Sequence, residues 1–139
     1  MENIKSAKLI KRLVSAIIDY SLIFGFIYIM KVFYGEENPI GGTSLSGFSA
    51  LIVVLFWFVV TILFDYLFGH TIGNYVCNIK PVSIADINRK LTFGESIKRH
   101  FLDWIDLSFI GLILIIATER NQRLGDLCAK TIVINYKFK

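Results

Sequence analysis

With 139 residues the chain has the length of a single domain, yet 55% of it is hydrophobic and 14% aromatic, more apolar surface than a soluble domain of this size has interior to hide. The formal charge is +4, but the basic residues flank apolar runs instead of interleaving with aromatics in polar segments, which argues for a bilayer and against nucleic acid. Cys77 and Cys128 lie 51 residues apart with no C-x-x-C and no histidine pair, so neither a metal site nor a redox pair is expected.

Residues 1–12 carry Lys5, Lys8, Lys11 and Arg12 and are expected to lie in the cytoplasmic interface as a basic anchor. Residues 13–33 are the first apolar run. At about 1.5 Å per residue this is long enough to cross a hydrocarbon core of roughly 30 Å as a first transmembrane helix. The run has an aspartate where a signal peptide would be uncharged, and no small-residue cleavage site follows it, so it is read as retained.

Arg12 opens this helix and Asp19 sits inside it, seven residues on. That spacing puts both on one face two turns apart, too far for a direct bond. Ser15 and Ala16 between them are small and leave room for a bridging group or water. A carboxylate at this depth costs several kcal/mol unless it is paired, protonated or hydrated. Asp19 is therefore read either as part of a clamp fixing helix packing or as a cation or proton site, with Arg12 holding its proton affinity down at the cytoplasmic mouth.

Glu36 to Ser44 form a polar loop without a basic residue, as expected of a non-cytoplasmic connection. Residues 48–68 are a second apolar run, read as a second full transmembrane helix in spite of their β-branched residues. Asp65, in its last turn, either reaches headgroup water or takes a partner. A turn at 69–74 follows, and residues 75–93 are read as a small cytoplasmic β-hairpin.

The third apolar run, residues 101–117, is only 17 long and holds Asp103 and Asp106 in its first third. Fourteen of the 15 basic residues fall in 1–12, 69–100 and 119–139. If all three segments are cytoplasmic, this run is re-entrant, bent near residues 108–111. The rival is a short, plain third crossing with the tail outside. In the basic tail, residues 131–136 read as a strand that can pair with the cytoplasmic hairpin, and Asp126 can reach Arg12 if the tail is cytoplasmic.

His70 and His100, 30 residues apart near the expected membrane boundary, read as interface residues. No Walker loop, G-x-G-x-x-G, H-E-x-x-H or G-x-S-x-G motif is present, and no nucleophile, base and orienting group can be assembled, so no enzyme activity and no cofactor is expected.

The order of these features resembles the RDD family of small multi-pass membrane proteins, named for one arginine and two aspartates. Arg12, Asp19 and Asp126 match its three residues, Thr131-Ile132-Val133-Ile134 its β-rich ending, Thr71-Ile72-Gly73 its T-x-G-K turn, and Arg99 an arginine opening its later apolar region. Asn74 stands in place of the turn lysine and Lys130 in place of a common glycine.

The expected fold is thus a mainly α-helical integral membrane protein with two full spans, a third re-entrant or short segment and a small cytoplasmic sheet, its N-terminus cytoplasmic in a cell membrane. The resemblance implies ligand or ion transport, including cation/proton exchange. Two functional expectations follow. One is a cation or proton pathway through a homo-oligomer, built on Arg12 and Asp19, with Asp126 in the charge network and Asp65, Asp103 and Asp106 conducting to the cytoplasm. The other is an accessory module whose buried charges lock the helices and whose basic face binds a partner or anionic lipid.

Overall fold

A computed structural model describes residues 6–103, 113, 116–118 and 121–138 of the chain. Most of the third apolar run, Asp106 included, lies outside the described residues, as do residues 1–5.

Helix α1 spans Leu9–Tyr34 and starts four residues before the apolar run. Arg12 is therefore helical and buried, not part of a surface anchor. The segment before it is also structural: Ser6 bridges to Ile134, and the Ala7 amide donates to the Val133 carbonyl. Residues 6–12 are thus tied into the fold, with Lys8 and Ile10 left exposed. Buried hydrogen-bond partners claim the backbone and guanidinium that a surface segment would leave to water.

A two-residue ribbon, β1 (Glu36–Glu37) against β2 (Thr43–Ser44), closes the polar loop. The second apolar run forms α2 (Gly47–Phe58), a π-helical stretch (Val59–Leu63) and α3 (Phe64–Phe68). Thr61 donates its hydroxyl to the Trp57 carbonyl within this stretch. The wider winding re-aims the helix end, and Thr61 and Asp65 are both buried there. Phe26 stacks on Phe56 at 3.9 Å between α1 and α2.

Leu9–Tyr34 and Gly47–Phe68 are each long and apolar enough to cross a bilayer. Ile17, Phe24, Tyr28 and Phe33 on α1, and Phe48, Leu51 and Val54 on α2, stay exposed within the chain. An apolar belt of this extent requires lipid or another protein against it.

The short helix α4 (Ile72–Val76) follows, then strand β3 (Ile79–Ser83). Helix α5 (Phe93–Phe101), α6 (Leu124–Cys128) and β4 (Thr131–Asn135) complete the described elements. β3 pairs antiparallel with β4, from Ile79 opposite Asn135 to Ser83 opposite Thr131. The expected hairpin over 75–93 is thus replaced by a sheet between distant segments. Local capping decides this. Thr71 accepts from the Asn74 amide and starts α4, and Thr92 with Glu95 forms a capping box that starts α5; between the two helices one five-residue strand forms. The tail supplies its partner. Ala7, Ile79 and Val133 form the buried apolar centre of this layer, which lies at the N-terminal end of α1.

Candidate functional site

Two close contacts bring the charged residues together, and each needs a glycine. A Cβ on Gly73 would lie 2.1 Å from the Ser15 carbonyl oxygen, and one on Gly125 would lie 2.1 Å from that of Arg99. The missing side chains let α4 rest on α1 and α6 rest on α5.

On α1, Asp19 accepts from the Thr71 hydroxyl (2.6 Å) and from the Gly73 amide (2.7 Å). Ser15 donates to the Asn74 side-chain carbonyl at 2.8 Å. Arg12 makes its direct bonds elsewhere. Its Nη1 donates to the Asn121 carbonyl and its Nη2 to Asp126 Oδ2. The guanidinium is taken by a carboxylate on α6, the Asp126 contact that the sequence allowed.

Asp126 is fully buried and is the hub of a second group. Besides Arg12 it accepts from Arg99 Nε at 3.0 Å and from the Arg123 backbone amide at 3.3 Å. Burial opposes its charge, and the guanidinium groups of Arg12, Arg99 and Arg123 outweigh that, holding its carboxyl far below the ordinary range. Arg99 Nη1 also grips both Asp65 oxygens, at 3.1 and 2.8 Å. Asp65 therefore has a partner and no access to headgroup water.

Asp103 faces His100 Nδ1 at 2.8 Å and Arg123 Nη1 at 3.4 Å, and is buried, not open to solvent. Burial pushes the His100 proton off. Asp103, and then Asp65, reverse that and raise the group to about 9.

A cavity of about 50 Å³ lies between these two groups. Arg12, Ser15, Asp19, Thr71 and Asn74 line one side, and Arg99, His100, Asp103 and Arg123 the other. At about 15 Å³ per occupant it has room for roughly three waters, or a small ion with water. Arg99 Nη2 and His100 Nε2 are buried and without a hydrogen-bond partner among the described residues. Such donors can serve a guest in the cavity. Among the described residues Asp19 is the carboxylate of this set with neutral donors only; Asp65, Asp103 and Asp126 each contact a cation. No group of three or more histidine, cysteine or acidic residues suited to a metal ion occurs among the described residues.

Sequence reasoning missed His100 and Arg123. Their i,i+3 offsets to Asp103 and Asp126 were the available signal.

The model of the RDD family covers residues 6–130. No curated protein and no solved structure matches the chain.

Proposed function

The chain belongs to the RDD family, and from that premise we propose a membrane protein that exchanges a monovalent cation for a proton at Asp19. The observation that carries this reading is the carboxylate itself. It sits inside an apolar helix, is held among the described residues by the Thr71 hydroxyl and the Gly73 amide, and borders a polar cavity. Neutral donors orient a carboxylate without cancelling its charge, so a cation or proton gains the full attraction.

Two helices are too few to enclose a pathway, so copies assemble through the exposed apolar faces of α1 and α2. The sheet joins residue 6, the segment after the second helix and the tail in one layer. That pairing supports a re-entrant third segment, with N-terminus and tail together on the cytoplasmic face of the cell membrane. A cysteine placed at Lys139 and labelled from either side tests this arrangement. Labelling from the face opposite the N-terminus rejects it.

Ion flux in proteoliposomes, with and without a pH gradient, tests the exchange. Wild-type flux no greater than that of Asp19→Asn eliminates it.

A second reading has its own observation. Arg12, Asp126, Arg99 and Asp65 form a continuous buried ion-pair chain, which suits a static clamp in an accessory module that binds a partner or anionic lipid. Melting in detergent against sodium, lithium and pH separates the two, because a ligand site shows ligand-linked stabilisation and a clamp does not.

A further inference from the structure

The two sides of the cavity are copies of one design. A shift of 52 residues carries α4 onto α6 and β3 onto β4, residue for residue. It carries Asn78 onto Lys130, both left-handed with φ of 53° and 52°. It also carries the bond from the Ile84 amide to the Lys130 carbonyl onto that from the Tyr136 amide to the Asn78 carbonyl. A shift of 84 carries the start of α1 onto the start of α5, and Ser15, whose carbonyl meets Gly73, onto Arg99, whose carbonyl meets Gly125. The strand register obeys the same operation: Pro81 pairs with its own counterpart Val133, so an approximate two-fold axis passes through that pair.

The chemistry of the halves differs at matched positions. In the first half Ser15 bonds Asn74, and Thr71 bonds Asp19. In the second, Arg99 bonds Asp126, and Arg123 bonds Asp103. Ala16 of the first half corresponds to His100 of the second. At these matched positions the first half is neutral apart from Asp19, and the second is a lattice of fixed charges with one titratable base.

We propose that the single chain holds two degenerate half-units facing each other across the cavity, and that His100 is the proton-carrying counterpart of the cation-carrying Asp19. This rests on the cation reading of Asp19. The argument is electroneutrality. Among the described residues Arg12, Arg99 and Arg123 supply three positive charges to the connected set, and Asp19, Asp65, Asp103 and Asp126 supply four negative ones. One positive charge is missing, and a poorly solvated cluster penalises the imbalance. A proton on His100 supplies it, and so does a cation at Asp19; both together overshoot.

The groups facing His100 are Asp103 and Arg99 on its own segment, Asp65 on α3, Arg123 and Asp126 at α6, and Arg12 and Asp19 across the cavity. The carboxylates among them with fixed cationic partners stay ionised, which leaves Asp19 and His100 as the groups that titrate, and of the two His100 is the base. The proton leaves from Nε2, which lies 3.5 Å from Asp65 Oδ2, while Nδ1 keeps its shorter contact with Asp103. One cation enters as one proton departs, and the charge of the set is unchanged.

The chain has two histidines, so their imidazole signals can be followed by NMR in nanodiscs and assigned with His70→Gln. In choline chloride the His100 signal is expected to titrate near the value of about 9 set by its carboxylate neighbours. Replacing choline with saturating sodium at equal ionic strength is expected to weaken its proton affinity at least tenfold and leave His70 unmoved. By reciprocity the same factor appears as a pH-dependent sodium affinity. Sodium-linked thermal stabilisation in His100→Ala, which restores the first-half residue, is expected to lose its dependence on pH between 7 and 10. Sodium that stabilises the wild type without moving the His100 titration overturns this inference alone. Sodium that fails to stabilise the wild type at any pH overturns the cation reading and this inference with it.

Discussion

Asp126→Asn tests the buried network most directly. The side chain is fully buried and two guanidinium groups, those of Arg12 and Arg99, depend on its charge. Asparagine keeps the volume and one acceptor but leaves the buried cations undercompensated. Breaking a buried pair from one side costs about 3–5 kcal/mol, because the remaining charge is stranded. For a chain of this length that corresponds to a fall in Tm of roughly 10–20 °C, followed by circular dichroism in detergent. The double variant Arg12→Met, Asp126→Asn removes one stranded charge with its partner and is expected to lose at least about 1 kcal/mol less than the two single variants added together. The acid dependence has a defined sign. A carboxyl held below its unfolded value stabilises the fold above that value and loses the contribution as pH falls. The gap between wild type and Asp126→Asn therefore narrows below about pH 4. A single variant within about 1 kcal/mol of wild type, or a strictly additive double variant, refutes the reasoning.

The remaining predictions are shorter. His100 is held protonated in the fold at about 9, so in sodium-free buffer its stabilisation is complete below about pH 6.5 and lost as pH rises through 9. It amounts to roughly 3 kcal/mol, and His100→Gln flattens that stretch of the melting profile. Gly125→Ala and Gly73→Ala force a Cβ into a carbonyl oxygen and are expected to cost at least about 1–3 kcal/mol each in chemical denaturation. Gly94→Ala, with open space around it in α5, is expected to be neutral or to add up to about 1 kcal/mol. Glu95 is lowered to about 2, first by the Arg89 side chain. Glu95→Gln then removes a partly exposed pair and weakens a capping box, costing about 1 kcal/mol at pH 7 and nothing measurable below pH 2.

Hydrophobicity carried most of what could be read without coordinates. The lengths of the apolar runs set two helices to within a few residues, because a bilayer needs a fixed rise and every backbone group must be satisfied inside the segment. The oddity of Asp19 was equally visible, since a carboxylate in an apolar run is conspicuous whatever it touches. The identity of its partners was not. Arg12 sits seven residues away and bonds Asp126, 114 residues on, while Asp19 takes Thr71 and Gly73 from a turn 52 and 54 residues on. Such contacts depend on where α4 and α6 dock, and two glycines admit that docking through backbone contact that leaves little pattern in composition or periodicity. His100 reads in sequence as one more polar residue near a membrane boundary. Only the packing of α3 and α5 places it between Asp65 and Asp103, and only the sheet register reveals that the two halves match. The sequence by itself thus determined two helices long and apolar enough to cross a bilayer, because length and hydropathy are properties of each segment. The tertiary structure decided the pairing of charges and the presence of a shared cavity, because electrostatic partnership is a property of distance between segments that the chain order does not encode.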